Sequence, residues 1–434
     1  MRKRYAIFAI CILLLFTGCA PQNSAHTDPT TPSTLATAPT QTLSQTQPSQ
    51  TQATQPKDEI DPDTLWVPIC EEFINFRAEP DGELLDTIKV GETVVLEKWE
   101  GKHALVTYKG KQGYVLSNHL MPANEYYFAD RLQVVTPTET YTYDQMLADI
   151  FALQQLYPKI VTTANIGLSE LGRKIPVIRL GNPEAKYHVL MQGAMHGREH
   201  FTAWLLMALA DISLSQGYTQ EVCYHIIPMS NPDGVCISQS GSLDAMQDKI
   251  YETDLIDGYT TYDPVTYAQQ WKANAMGIDL NRNFESGWDV SLERPDPSSE
   301  KYRGEKAFSA AESRALRDYT KQYPFNATIS VHSHGSVIYY QYGSKQPVND
   351  LSYSLALAAQ AVTGYTPITY DGTTGAGYKD WAMDALGIPS LTLEIGCYNT
   401  PLAQQDIYNT FARCEELFPA INKWLQENTA EVTP

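Results

Sequence analysis

Positive charge is scarce in this chain, and so are long apolar runs; its cysteines follow no pattern. Lysines and arginines number 31 against 50 aspartates and glutamates, a formal net charge of −19. A surface of that sign repels a polyanion, which excludes nucleic acid as a natural partner. The apolar run from Ala6 to Phe16 falls short of the roughly 20 residues that a bilayer-spanning helix needs. Of seven cysteines, Cys11 and Cys19 belong to the N-terminal segment. The others, Cys70, Cys223, Cys236, Cys397 and Cys414, form no disulfide framework. Cys223 and Cys236 flank an apparent strand and read either as a pair or as buried thiols. None has metal-ligand spacing.

What is present starts with an N-terminal address. Arg2, Lys3 and Arg4 precede the apolar run, the order of a basic flank and core in a secretory signal peptide. Leu15-Phe16-Thr17-Gly18-Cys19 resembles a bacterial lipobox, with Phe16 where Leu, Val or Ile is usual. That resemblance implies removal of residues 1–18, acylation of Cys19 and a membrane anchor; plain secretion is the alternative. Residues 19–63, mostly Thr, Gln, Ser, Pro and Ala, cannot bury enough apolar surface to offset ordering entropy and read as a disordered tether.

Residues 64–123 change character. Ile74–Pro80, Ile88–Leu96, Ala104–Tyr108 and Gly113–Val115 are short β-type runs, punctuated by turns at Asp81-Gly82 and Lys109-Gly110-Lys111. Short strands at this density predict a small β-barrel. From residue 138 to 428 apolar strands alternate with helical spacing. Strands are predicted at Ile175–Leu180, His188–Met191, Val222–Ile227, Ala327–Val331 and Ser390–Ile395, with helices at Asp144–Leu156, Phe201–Leu214, Leu351–Val362 and Gln404–Gln426. With 43% hydrophobic residues a substantial core is available. The expected fold class is α/β, a mixed central sheet flanked by helices, with ligands at the carboxyl ends of its strands.

That is where chemistry-bearing residues gather. His196-Gly197-Arg198-Glu199 follows one strand, and Ala327–Val331 runs into His332-Ser333-His334. Catalytic zinc takes three imidazole or carboxylate ligands and keeps an open position for water. A ligating histidine also needs an acceptor for its second nitrogen, and Asp279 in Gly277-Ile278-Asp279-Leu280-Asn281-Arg282-Asn283-Phe284 is a candidate.

With these motifs, and with Asn231-Pro232-Asp233-Gly234 and the segment Asp380–Gly396, the chain resembles the zinc metallocarboxypeptidases over roughly residues 140–425. The resemblance implies one Zn2+ ion held by His196, Glu199 and His332, with Asp279 behind them. It implies Glu394 as the catalytic carboxylate, and Asn281 and Arg282 as the grip on a substrate carboxylate. Where the family places an arginine for the oxyanion, this chain has Lys272 after Trp271, with Arg198 nearby to share that task or contact substrate. A mobile tyrosine is expected ahead of the glutamate; Tyr370 is the nearer candidate and Tyr378 the alternative. Lys379 falls at the position lining the specificity pocket, where a cation favours an acidic group.

"INFRAEP", "KVGETVVL" and "YKGKQGYVLSNHL" in turn resemble a bacterial Src-homology-3-like domain, which implies cell-wall binding. "WKAN", "GIDLNRNF" and "AGYKDW" look like the branch containing γ-D-glutamyl-diamino acid peptidases. The expected function is therefore an extracytoplasmic peptidase acting on peptidoglycan stem peptides near the γ-D-glutamyl-diaminopimelate bond. A secreted carboxypeptidase trimming L-peptides is the second reading, and a non-catalytic wall-binding lipoprotein a remote third.

Overall fold

The computed structural model describes residues 65–428 apart from 71, 129–130, 139, 218, 220, 292, 370–374 and 397–403. The expected signal segment, Cys19, the tether and Tyr370 lie outside the described residues. All described residues fall within one compact unit, Glu59–Pro434.

The first layer is an antiparallel sheet of seven strands: β1 Leu65–Pro68, β2 Phe73–Arg77, β3 Leu84–Lys89, β4 Val94–Glu100, β5 His103–Tyr108, β6 Lys111–Leu116 and β7 Leu120–Pro122. Their order is β3-β2-β6-β5-β4-β1-β7. Ile74, Phe76, Ile88, Val94, Leu96, Val106, Val115 and Leu120, drawn from most of the strands, meet in one apolar cluster, so the sheet curls on itself. The run Ile88–Leu96 is two strands rather than one, because Gly91 turns the chain at φ 85°. At the β5–β6 hairpin Lys109 and Gly110 both take positive φ, the tight turn that matches strand twist.

The second sheet carries the larger core. Its strands are β8 Val161–Leu168, β9 Lys174–Leu180, β10 Tyr187–Gln192, β11 Val222–Ile227, β12 Ala327–Ser333, β13 Val337–Tyr339, β14 Thr366–Ile368 and β15 Ser390–Ile395. The order is β14-β13-β15-β12-β10-β11-β9-β8. The inner four, β15-β12-β10-β11, are mutually parallel; β9 and β13 join them antiparallel. Every residue of β10, β11 and β12 is buried, as expected of strands covered on both faces. One cover is the helix Phe201–Gln216, buried from Phe201 to Leu214, as its mostly apolar surface on every side requires. The expected closing helix is two, Gln404–Cys414 and Leu417–Asn428. Pro419 explains the break: it has no N–H for the Glu415 carbonyl and is tolerated only in a first turn.

The two sheets are joined by the helix Ala123–Phe128 and the segment after it. Phe128 packs on Trp204 and Phe411 at ring centroid distances of 6.0 and 4.9 Å, and Tyr127 on Tyr408 at 5.6 Å. The buried carboxylate of Asp211 accepts the backbone N–H groups of Gln133, Val134 and Val135 at 2.9, 2.8 and 2.9 Å. Asp211→Ala leaves the buried Val135 N–H without an acceptor and the half-buried Gln133 and Val134 N–H groups to solvent, and a buried group left unpaired costs about 1–3 kcal/mol. The variant is expected to lose about 1–3 kcal/mol in denaturant unfolding; no measurable loss contradicts this account of the joint.

Candidate active site

The site forms where the parallel strands end. His196 lies just past β10, Glu199 closes the short turn Gly197–Glu199, and His332 sits in β12 directly across from Glu394 in β15. Backbone contacts fix the turn. A β-carbon on Gly197 would lie 2.3 Å from the Gly234 carbonyl oxygen and 2.9 Å from that of Trp271, so glycine alone fits. Gly197 N–H donates to the Lys272 carbonyl and Arg198 N–H to that of Trp271, at 3.0 and 2.9 Å. The buried Asn231 amide donates to the carbonyls of Met195 and Ala273 at 3.1 and 2.9 Å, and its oxygen accepts Gly234 N–H at 2.9 Å. Asp233 takes Leu171 N–H and the Arg173 guanidinium at 2.8 and 2.6 Å.

His196 Nδ1 and His332 Nδ1 are 3.3 Å apart. The Glu199 carboxylate reaches both, Oε1 at 2.7 Å from His196 Nδ1 and Oε2 at 3.0 Å from His332 Nδ1. Asp279 Oδ1 lies 3.2 Å from His196 Nε2 and accepts Asn281 N–H at 3.0 Å, while Oδ2 accepts Lys301 N–H at 2.9 Å. With Nε2 so engaged, the Nδ1 atom of His196 faces inward. Burial alone would lower His196, but the charges of Glu199 and Asp279 outweigh it and hold the ring up to about 9. Burial would raise Glu199; His196 and His332 reverse that and hold it well below the usual carboxylate range. Glu394 is pushed up to about 8 by burial and then by the Glu199 charge. The buried Glu199 and Asp279 carboxylates on either side of His196 call for positive charge, which a metal ion held there would supply, with the ring then neutral.

A cleft of about 230 Å3 opens from this cluster, walled by His196, Lys272, Asn281, Arg282, Tyr339, Gly377, Lys379, Asp380, Thr392 and Glu394. Lys272 Nζ stands 4.0 Å from Glu199 Oε1. Arg282 is steadied by Glu293 Oε1 at 3.0 Å and by the Asn281 carbonyl at 3.1 Å. Arg198 is placed differently: its Nη1 donates to Gln270 Oε1 at 2.9 Å, and it is not among the cleft walls. Tyr378 points away as well, its hydroxyl 2.9 Å from Thr320 Oγ1 in the core. Lys379 does line the cleft but pairs with Asp380 Oδ1 at 2.5 Å, so the wall presents opposite charges side by side rather than a bare cation. Asp380, Tyr339 and Thr392 were not foreseen as cleft residues. Tyr339 is one of 27 tyrosines, and only its pairing with Thr392 across β13 and β15 singles it out.

The zinc carboxypeptidase family profile matches residues 146–419, more than half of the chain. The chain belongs to the zinc carboxypeptidase family. Among its relatives is "Gamma-D-glutamyl-L-diamino acid endopeptidase 1" of Lysinibacillus sphaericus, 29% identical over 287 residues, covering 62% of this chain and 69% of that one. Bovine carboxypeptidase B is 26% identical over 375 residues, 80% of this chain and 83% of that one. Among solved structures, carboxypeptidase A from Helicoverpa armigera shares the fold at a TM-score of 0.51 and 19% identity, covering 74% of this chain and 91% of that one.

This zinc carboxypeptidase is thus a metallopeptidase, and its donor set fits the family's metal. Two imidazoles and a carboxylate with their donor atoms within 4.8 Å of one another match a three-ligand catalytic zinc site. Removing the acceptor that orients His196, in Asp279→Ala, is expected to weaken zinc binding about 10- to 100-fold. Competition against a chromophoric chelator measures this; unchanged affinity contradicts the orienting role.

Proposed function

We propose that this zinc carboxypeptidase is an extracytoplasmic peptidase that hydrolyses peptidoglycan stem peptides near the γ-D-glutamyl-diaminopimelate bond. The observation that carries the substrate assignment is the Lys379–Asp380 pair in the cleft wall. The free end of a diaminopimelate side chain bears an ammonium and a carboxylate, and adjacent opposite charges complement both. A relative named for a γ-D-glutamyl-L-diamino acid substrate supports the same class. The wall-binding role of the curled sheet and the lipid anchor at Cys19 are parts of this proposal that rest on sequence likeness.

Bound zinc supplies Lewis acidity, lowering the pKa of a water molecule and polarising the scissile carbonyl. Glu394, across the strand pair from His332, takes the proton of the attacking water on its carboxylate and delivers it to the leaving amine. Lys272 offers a cation to the developing oxyanion, as a point charge in place of a guanidinium fork. Asn281 and Arg282, both in the cleft wall, hold a substrate carboxylate. Arg198, engaged with Gln270, takes neither the oxyanion nor the substrate-binding role in this reading. Tyr370 remains the candidate for a mobile tyrosine.

The second reading, trimming of ordinary L-peptides, is favoured by the likeness to carboxypeptidase B over most of the chain. Incubation of the full chain with a γ-D-glutamyl-diaminopimelate stem peptide and with an L-peptide panel, read by mass, separates the two. Chelator-sensitive cleavage of the stem peptide is expected, with Glu394→Gln retaining zinc and losing about 10²- to 10⁴-fold in kcat. Cleavage confined to L-peptides overturns the substrate assignment, and an active Glu394→Gln variant overturns the mechanism.

A further inference from the structure

At the opposite end of the same parallel strands lies a second group of ligand-type side chains. His188 stands near the start of β10, and Cys223 and His225 on β11; His188 faces Cys223 and Leu190 faces His225 in the strand register. One donor atom from each of the three lies within 4.8 Å of the others, and all three residues are buried. None of them takes part in the catalytic cleft.

The spacing is that of ligands. His188 Nδ1 and His225 Nε2 are 3.1 Å apart. Two imidazole nitrogens bound tetrahedrally to one zinc ion, each at 2.0–2.1 Å, stand about 3.3 Å apart. The corresponding nitrogens of His196 and His332 are 3.3 Å apart. The outer nitrogen of His225 is also engaged, as a metal-bound histidine requires: its Nδ1 is 2.7 Å from the Tyr319 hydroxyl. The His188 backbone is fixed on both sides by Asn326, through N–H to Oδ1 at 2.9 Å and through the carbonyl to Asn326 N–H at 2.8 Å. His188 keeps 7% exposure, which leaves an entry route. An imidazole–imidazole hydrogen bond accounts for the nitrogen spacing alone and gives the neighbouring thiol no part.

We propose that His188, Cys223 and His225 form a second metal site, of three protein ligands and outside the catalytic cleft, for a thiophilic d10 cation, zinc(II) or copper(I). The mixed nitrogen–sulfur donor set selects such ions. Binding releases the Cys223 thiol proton to solvent and leaves a thiolate ligand. Arg179, paired with His225 across β9 and β11, offsets the thiolate's charge. The ion clamps β10 to β11 at the edge remote from catalysis.

The test uses the full chain with His196→Ala and His332→Ala together, which disables the catalytic ligands, and counts metal by elemental mass spectrometry. One equivalent of zinc or copper is expected to remain, and Cys223→Ser in that background is expected to abolish it. Retention of no metal, or retention that Cys223→Ser does not change, overturns the proposal. If the double variant does not fold, cobalt(II) loading of the unmodified chain decides. The catalytic ligands include no thiolate, so a near-ultraviolet sulfur-to-cobalt band that Cys223→Ser removes supports the second site, and absence of that band refutes it.

Discussion

At Gly197 the backbone passes so near Gly234 and Trp271 that any β-carbon would collide with their carbonyl oxygens. That close approach ties together three stretches far apart in sequence. His196 and Glu199 flank the contact, Asn231 locks it with hydrogen bonds to Met195 and Ala273, and Trp271-Lys272 receives the turn's N–H groups. Hence the turn motif at Asn231–Gly234, which contributes no ligand, is as necessary to the site as the ligands. Lys272 lines the cleft with its backbone held against the Gly197–Glu199 turn.

Around this frame the protein buries opposing charges in a space too dry to solvate them. Glu199 and Asp279 are nearly inaccessible, and a buried unpaired carboxylate costs several kcal/mol. Each is answered: Glu199 by two imidazoles and Lys272, Asp279 by His196 and two backbone N–H groups. Glu394 is the exception, with its proton held up to about 8 by burial and by Glu199. A cation held by His196, Glu199 and His332 would relieve that repulsion, and under the proposed mechanism Glu394 would then be free to accept a proton at neutral pH.

Much of this was legible in the sequence because the central strands are covered on both faces. Continuous apolar runs therefore marked β11 and β15 at their observed limits, and the motif residues fell at their ends. Local punctuation was harder to weigh. Gly91 divides what read as one strand, and Pro419 divides what read as one helix. What the sequence could not disclose is which strands lie side by side. Asp380 beside Lys379 was visible as a dipeptide, yet placing its ion pair in the cleft wall needed the helix Tyr378–Leu386 set against β12 and β15. Cys223 and His225 are two apart, but His188 joins them only through the register of β10 with β11. Along the chain Cys223 showed no ligand spacing, and Cys223 and Cys236, open to pairing on sequence, are both free.

The central claim is that His196, Glu199 and His332 converge on one ion at the carboxyl edge of the sheet. The most direct measurement is an anomalous difference map, at the zinc absorption edge, from crystals of the zinc-loaded enzyme. The account predicts a peak about 2.0–2.2 Å from His196 Nδ1, His332 Nδ1 and a Glu199 carboxylate oxygen. No peak within reach of these three atoms, under conditions where the enzyme is active, would contradict it.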